Sequence, residues 1–331
     1  MSVVVRKPRA IALSETERAF AADVLAGLGA EPKHLPPKYF YDQRGSELFE
    51  RITRLPEYYP TRTEIGILEA HAGAIAKLIP RDAAVVEFGA GSAAKTRILL
   101  DAAPQVSAYV PVDISGAFLA GTAARLRESL PQLTVIALEA DFTKPFVLPA
   151  ALGGRPRIGF FPGSTIGNFE PHEAQALLRN AAAMLGPGSL FVIGVDLVKD
   201  ADVLNRAYND GEGVTAAFNL NLLLRINREL GGDFNPEKFR HRAFFNQAEG
   251  RIEMHLGSLA RHKVRVCGKS IEFRRRETIH TENSYKYTIE QFRCRANAAG
   301  WDSLATWIDS ANYFSVHALR AQGPKDAAVM S

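Results

Sequence analysis

The segment Val85–Gly91 combines an apolar run with one carboxylate, Glu87, and two glycines, Gly89 and Gly91. An apolar strand that ends at a Gly-x-Gly turn brings bare backbone against a nucleotide-like ligand. Gly89, Gly91 and Ala94 also fit the dinucleotide pattern G-x-G-x-x-G/A. The spacing alone therefore leaves a pyridine-nucleotide site open.

The acidic residue in this loop separates the two interpretations. A pyrophosphate is bound by amide N–H groups and is disfavoured by a fixed negative charge beside it. S-adenosylmethionine (SAM) carries an ammonium and a sulfonium group and no phosphate, so Glu87 would attract it. We interpret the loop as SAM-binding. The alternatives from another class are a pyridine-nucleotide oxidoreductase and a nucleotide-binding module without chemistry.

Further polar residues follow the next predicted strands. A carboxylate at Asp113 can accept hydrogen bonds from both ribose hydroxyls. Asp141 can bind the adenine amino group while Phe142 flanks the base. The two aspartates could instead be helix caps in plain loops. Lys95 could reach the carboxylate of the cofactor or simply occupy the first turn of a helix.

The loop G163-S-T-I-G-N168 follows the fourth predicted strand. Its glycines would let the backbone approach a substrate, and the Asn168 amide can both donate and accept hydrogen bonds. The alternative is a tight turn in which Asn168 takes the left-handed conformation.

Short apolar runs alternate with helix-forming segments through the middle of the chain. We predict strands at 84–88, 108–112, 134–138, 158–161 and 190–195, and helices at 94–101, 116–130 and 172–185. This alternation is typical of a parallel sheet covered on both faces. Ligands bind such sheets at the carboxyl ends of the strands, which here carry Glu87, Asp113, Asp141, Asn168 and Asp196.

Outside this region the pattern differs. Upstream, we predict helices at 14–28, 46–52 and 63–79, with P-E-Y-Y-P extended between the last two. Downstream, we predict a helix at 213–230, strands at 252–256 and 262–273, a helix at 289–299, and strands at 304–308 and 314–319. A closing hairpin of this kind is usual in SAM-dependent methyltransferases and unusual in dinucleotide dehydrogenases.

These patterns predict an α/β protein with a Rossmann-like class I SAM-dependent methyltransferase fold and a second, smaller α+β substrate-binding lobe. We assign residues 62–198 and 286–321 to the methyltransferase domain and residues 11–61 and 199–285 to the substrate-binding domain. Residues 1–10 and 322–331 are predicted tails.

Composition narrows the class of protein. The net charge of +4 is mild, so we expect no nucleic-acid partner. Cys267 and Cys294 lie far apart, and the eight histidines show no close ligand spacing, so we expect neither disulfides nor a bound metal. With no apolar run of membrane length and no signal peptide, we expect a cytoplasmic protein that does not bind membranes. We also expect it to be a monomer.

Five motifs carry a resemblance that extends from about Leu13 to Arg320. They are K38-Y-F-Y-D42, L55-P-E-Y-Y-P-T-R-T-E64, G163-S-T-I-G-N168, D196-L-V-K-D200 and T281-E-N-S-Y-K-Y287. With them the chain resembles the histidine-specific Nα-methyltransferases of ergothioneine biosynthesis. The resemblance implies a SAM-dependent enzyme that adds three methyl groups to the α-amino group of L-histidine, giving hercynine in the first step of that pathway.

The same resemblance implies roles for individual residues. The cofactor would contact Gly89, Lys95, Asp113, Asp141 and Phe142. The amino and carboxylate end of the substrate would be held by Tyr58, Asn168 and Tyr208 with Tyr41 nearby, and we expect Tyr41 and Asn168 to be catalytic. The imidazole would meet Glu282 and Ser284, and Met254 would pack against it. Because broader relatives act on other aromatic amino acids, an N-methyltransferase of an amino acid such as tryptophan is the alternative.

The residue types suit this chemistry. Hydroxyl and amide groups hold an amine without favouring the unreactive ammonium, as a carboxylate would. Aromatic walls tolerate a quaternary ammonium product, and the aromatic cluster Tyr39, Phe40, Tyr41, Tyr58 and Tyr59 could supply them or simply form core. In an extended segment Glu282 and Ser284 would point to one side and Asn283 to the other.

Overall fold

The computed structural model describes residues 14–91, 94–114 and 116–323. The predicted tail 1–10 and most of the predicted tail 322–331 lie outside these residues. The α-helices are α1 (Glu15–Gly29), α2 (Gln43–Ile52), α3 (Tyr59–Ala76), α4 (Ala94–Ala102), α5 (Gly116–Ser129), α6 (Pro171–Leu185), α7 (Ala201–Ala207), α8 (Val214–Leu230) and α9 (Ile289–Ala298).

The strands run between these helices and along the second half of the chain. They are β1 (Lys33–His34), β2 (Ala83–Phe88), β3 (Val106–Asp113), β4 (Thr134–Val135), β5 (Leu138–Glu139), β6 (Arg157–Phe161), β7 (Leu190–Asp196), β8 (Phe239–Asn246), β9 (Arg251–Ser258), β10 (His262–Val266), β11 (Lys269–Phe273), β12 (Thr278–Tyr285), β13 (Trp301–Ile308) and β14 (Phe314–Ala321).

The larger sheet has the strand order β13-β14-β7-β6-β2-β3-β4, with β5 also paired to β3. The strands from β7 to β4 are parallel, whereas β14 is antiparallel to both β7 and β13. Every residue of β2 and β7 is buried, as expected where helices cover both faces of a parallel sheet. The predicted α/β fold and its closing hairpin are confirmed.

The smaller sheet has the strand order β1-β12-β9-β8. A single core joins residues from α1, α2 and α8 with residues from β8, β9 and β12, and it is separate from the cores under the larger sheet. The N-terminal segment therefore packs with the segment that follows β7. The sequence did not predict α7 or β8.

Three local predictions were wrong. The run 134–138 forms two short strands, and the run 262–273 is a hairpin whose turn contains Cys267 and Gly268, both with positive φ. The segment P-E-Y-Y-P is not extended to its end, because α3 begins at Tyr59. Pro60 fits the first turn of a helix, where a backbone N–H has no helical partner to lose.

Helix α1 begins as predicted. Ser14 Oγ accepts a hydrogen bond from the Glu17 N–H, and the Glu17 carboxylate accepts one from the Ser14 N–H. None of the helices in the described part of the chain is both long and apolar enough to cross a membrane.

Candidate active site

The glycine loop after β2 lies beside the ends of β3 and β5. Gly89 has φ +73°, and a Cβ atom at this position would lie 3.3 Å from the Phe142 ring, so only glycine fits without displacement. The Gly89 N–H donates to the Val112 carbonyl at 2.9 Å, which fixes the loop against β3. Asp113 ends β3 and Asp141 lies just beyond β5, both half-buried. The structure thus brings four predicted cofactor residues to one edge of the sheet.

Glu87 lies beneath this loop. Its side chain is buried, and one carboxylate oxygen accepts hydrogen bonds from Thr96 Oγ1 and Tyr109 Oη. Burial raises the pKa of Glu87 to about 7, against the opposing effect of those two hydrogen bonds. The carboxylate therefore has partners within the protein, and its direct attraction for a cofactor cation stays a prediction.

Lys95 pairs with a carboxylate that the sequence analysis missed. Lys95 Nζ lies 2.5 Å from Glu64 Oε2, and the Glu64 side chain is only 1% exposed. Glu64 also accepts the Gly163 N–H, at 2.8 Å and 3.0 Å to its two oxygens. Through Glu64, Lys95 is thereby linked to the loop 163–168, and its contact with a cofactor carboxylate stays a prediction.

The loop 163–168 joins the two halves of the molecule. Gly163 and Ser164 take positive φ values, of 87° and 55°, and Asn168 ends a 3₁₀ turn, so the alternative of a left-handed Asn168 is wrong. A Cβ atom on Gly167 would lie 2.7 Å from the Tyr285 carbonyl oxygen. This glycine therefore lets the loop 163–168 pack directly against β12 of the smaller sheet.

A cavity lies where the loop 163–168 faces the smaller sheet. It gathers all of the predicted substrate and catalytic side chains: Tyr41, Tyr58, Asn168, Tyr208, Met254, Glu282 and Ser284. Its walls also include residues to which the sequence analysis gave no role, among them Phe49, Thr215, Phe218, Asp196 and Lys286. The predicted cofactor residues lie outside this cavity, along the neighbouring edge of the larger sheet.

Strand β12 supplies one wall of the cavity. Glu282 and Ser284 both line it, whereas Asn283 points away and donates to Glu170 at 2.9 Å, so the predicted alternation is confirmed. Glu282 is 9% exposed, and burial raises its pKa to about 8, with a smaller opposing effect of Lys286. A buried carboxyl group is stabilised by a hydrogen-bonding partner, and a polar ligand in the cavity could supply one.

Only part of the predicted aromatic cluster reaches the cavity. Tyr41 packs against Phe218 and Phe49 with ring centroids 5.9 Å and 5.7 Å away, and Tyr58 lies 6.1 Å from Tyr208. Burial raises the pKa values of Tyr41 and Tyr58 well above their usual range, so both hydroxyls stay protonated. Tyr39 and Phe40 pack outside the cavity: the Tyr39 hydroxyl donates to Asp23, and Phe40 is fully buried in the core.

A buried cluster of charged side chains lies at the end of β7, beside the cavity. Asp196 is 1% exposed, and its two oxygens lie 2.6 Å from Lys199 Nζ and 2.6 Å from Lys286 Nζ. Tyr59 Oη donates to the same carboxylate at 2.8 Å. Burial alone would raise the pKa of Asp196, but the two ammonium groups hold it below its usual value. The motifs containing these residues were noted in the sequence, but their spatial arrangement was not.

A second cluster has the side chains of a metal site. Glu253, His255 and His280 place three potential ligand atoms within 4.8 Å of one another, on the face of β9 opposite Met254. The Glu253 carboxylate already accepts a hydrogen bond from Arg251. The two imidazole rings are stacked at 4.6 Å with an interplanar angle of 14°. A metal binds in the plane of an imidazole ring, so nearly parallel rings cannot both direct a lone pair at one ion.

The fold and the site together define a class of protein. A parallel sheet with a closing antiparallel hairpin, a glycine loop after β2, a carboxylate at the end of β3 and another just beyond β5 are the features of a SAM-dependent methyltransferase. The chain belongs to the family of histidine-specific, SAM-dependent methyltransferases, whose family model matches residues 20–321.

Curated relatives agree with this assignment. The chain is 42% identical to the histidine N-alpha-methyltransferase of Mycobacterium tuberculosis, over 90% of this chain and 94% of that protein. It is 41% identical to the enzyme of the same name from Mycolicibacterium smegmatis, over 92% and 96%. It is also 31% identical to ergothioneine biosynthesis protein 1 of Neurospora crassa, over 87% of this chain and 33% of that longer protein.

Proposed function

We propose that this chain is the SAM-dependent methyltransferase that converts L-histidine to hercynine by three methylations of the α-amino group, as the first step of ergothioneine biosynthesis. One observation carries the assignment to histidine. The cavity that holds Asn168 and three tyrosines also holds a carboxyl group and a hydroxyl, Glu282 and Ser284, on one face of β12. Family membership excludes the pyridine-nucleotide alternative.

The polar groups of the cavity suit the amino end of the substrate. Methyl transfer is an in-line displacement, and the main task of the protein is to align the nitrogen with the methyl group and the sulfur. The attacking nitrogen must be unprotonated, and we assign Tyr58, Asn168 and Tyr208 to hold it together with the substrate carboxylate. Asp196, a buried carboxylate that also lines the cavity, is paired with Lys199 and Lys286, so it does not favour the ammonium form.

Three rounds of methylation need a wall that accepts a growing cation. We assign this role to the rings of Tyr41 and Tyr58, which pack against Phe49 and Phe218 in the wall of the cavity. Aromatic faces attract a quaternary ammonium group through their quadrupoles. Because both tyrosine hydroxyls stay protonated, these walls add no negative charge.

The cofactor site is assigned to the edge of the larger sheet. SAM supplies the activated methyl group when it is bound. Gly89 and Phe142 would flank the adenosine, Asp113 would accept from the ribose hydroxyls, Asp141 would accept from the adenine amino group, and Lys95 would meet the carboxylate. The close approach of Gly89 to Phe142 supports this fit, because a side chain at Gly89 would fill the space. Glu87 would attract the positive charge of SAM from beneath the glycine loop.

We also propose the two-domain division given above, with residues 62–198 and 286–321 carrying the cofactor and residues 11–61 and 199–285 carrying most of the substrate pocket. Separate cores on the two sides of the cavity support it. We propose further that the protein acts as a cytoplasmic monomer on the free amino acid, without a metal, nucleic acid or membrane partner.

The direct test is methyl transfer by the purified protein. We expect mono-, di- and trimethylated histidine by mass spectrometry when L-histidine and SAM are supplied, with S-adenosylhomocysteine as co-product. Tryptophan and phenylalanine are supplied in parallel. A protein that methylates tryptophan and leaves histidine unchanged would establish the alternative substrate class. Calorimetric titration of L-histidine with and without S-adenosylhomocysteine would measure the coupling of the two subsites.

A further inference from the structure

Lys286 is an ammonium group held wholly inside the protein at the edge of the substrate cavity. Its side chain is 0% exposed. The Nζ atom lies 2.6 Å from Asp196 Oδ2, 2.8 Å from Ser284 Oγ and 3.1 Å from Tyr208 Oη. An ammonium has three N–H donors and no acceptor, so these three contacts use all of its hydrogen-bonding capacity.

The contacts of Lys286 decide how Ser284 can bond. Ser284 Oγ accepts one hydrogen bond from Lys286 and a second from the Tyr208 hydroxyl, at 2.8 Å. A serine hydroxyl has two lone pairs and one hydrogen. Both lone pairs are therefore occupied from the protein side, and only the hydrogen of Ser284 is left for a ligand in the cavity.

The second polar group on the same face of β12 has the opposite character. The Glu282 carboxyl group offers an acceptor oxygen in both protonation states, and it offers only acceptors once it is ionised. The two side chains therefore offer a ligand one donor and one acceptor, two residues apart on one strand. A neutral imidazole has the complementary pair, because one ring nitrogen is bare and the other carries a hydrogen.

We propose that Lys286 is a positioning residue that sets substrate specificity: by occupying Ser284 from behind, it makes Ser284 a hydrogen-bond donor and selects a neutral imidazole with one bare nitrogen. This inference rests on the proposed function. A phenyl ring offers no acceptor and leaves the Ser284 hydroxyl unpaired. An imidazolium ring presents a second N–H in place of the acceptor, and it brings a positive charge towards the Lys286 ammonium.

Lys199 supplies a matched comparison within the same cluster of charged side chains. Its Nζ atom pairs with the other oxygen of Asp196 at 2.6 Å, but its further contacts are Tyr59 Oη and the Leu197 carbonyl. Removing Lys199 therefore deprives Asp196 of one cation, as removing Lys286 does. Unlike removal of Lys286, removal of Lys199 leaves unchanged the two hydrogen bonds that Ser284 accepts.

The test is a double-mutant cycle on histidine methylation. We expect Lys286→Met to lower kcat/KM for histidine at least about tenfold, mainly through KM, as for one lost hydrogen bond in the substrate complex. In a Ser284→Ala background the same substitution should cost less than about threefold, because the group through which it acts is gone. Lys199→Met should cost the same factor in both backgrounds.

Equal losses from Lys286→Met in both backgrounds would overturn the proposal, because Lys286 would then act through Tyr208, Asp196 or the fold and not through Ser284. If Lys286→Met does not fold, the cycle is run with Lys286→Gln, which removes the charge and one donor. If the effects of Lys286→Gln and Ser284→Ala on kcat/KM are then additive, the proposal is overturned as well. A parent enzyme that does not methylate histidine would refute the proposed function. Additivity in an enzyme that does methylate histidine would refute only the role of Lys286.

Discussion

Glu282 on β12 lies directly opposite Met254 on β9, and both side chains are buried in the wall of the cavity. The pair places a carboxyl group and a thioether side by side where the substrate ring is expected. A polar ring gains a partner from Glu282, whereas an apolar ring would leave the carboxyl group unpaired.

Glu282→Ala should therefore change the choice of amino acid. A charge-assisted hydrogen bond contributes roughly 1.5–3 kcal/mol, so we expect kcat/KM for histidine to fall by about one to two powers of ten. The relative rates for phenylalanine and tryptophan should rise, more so when Met254→Val adds room. The measurement is methyl transfer to the three amino acids in parallel. Asn283→Ala, which alters the opposite face of β12, is the control. An unchanged substrate ratio in Glu282→Ala would remove the basis for histidine recognition by this residue.

Asn168→Ala should reduce activity on every amino acid that the enzyme accepts. This residue lies on the loop 163–168 and is assigned to the amino and carboxylate end that all amino acids share. We expect a loss of about tenfold or more in kcat/KM, from at least one hydrogen bond. Initial rates with two different amino acids check it. A loss confined to one of them would assign Asn168 to the substrate side chain instead.

Tyr58→Phe should weaken histidine binding while keeping the aromatic wall. The substitution removes one hydroxyl, and we expect about a tenfold rise in the dissociation constant, near 1.4 kcal/mol. Calorimetry in the presence of S-adenosylhomocysteine measures it. Tyr39→Phe is a suitable control, because the Tyr39 hydroxyl donates to Asp23 and the ring lies outside the cavity. Equal effects of the two substitutions would count against the assignment of Tyr58.

Asp113→Ala should weaken SAM binding by roughly 2–4 kcal/mol, because two charge-assisted hydrogen bonds to the ribose would be lost together. Histidine affinity without cofactor should change less, since Asp113 lies outside the substrate cavity. Titration of SAM and of histidine separates the two effects. Asp101→Ala removes an exposed carboxylate that pairs with Arg97 in the last turns of α4, and it should leave SAM affinity near the parent value.

Stability should depend on pH through Glu282. Burial raises the pKa of this group from 4.5 to about 8, so the folded protein binds more protons than the unfolded chain between these values. The free energy of unfolding must then fall as pH rises through this window. Glu282→Gln removes the effect, and we expect its Tm to exceed that of the parent by on the order of a few degrees at pH 8, with little difference at pH 5. A Tm difference that is constant with pH would contradict the raised pKa.

The sequence by itself determined the elements whose signals are local. The buried run of β2 and the strand–helix alternation after it predicted the parallel sheet, because covering helices impose a continuous apolar pattern on each strand. Alternation along an extended strand predicted that Glu282 and Ser284 share a face. The capping box at Ser14 fixed the start of α1 in the same way.

Only the tertiary structure decided which residues that are distant in the sequence bind to each other. Lys286 and Asp196 are separated by 90 residues, and Gly163 and Glu64 by 99, so no periodicity or spacing could connect them. The burial and pairing of Lys286, Asp196 and Glu64 cannot be seen in the sequence, because they are properties of the packed sheets. The position of Glu87 beneath its loop was likewise decided by Thr96 and Tyr109, which reach it only once β2, β3 and α4 have packed together.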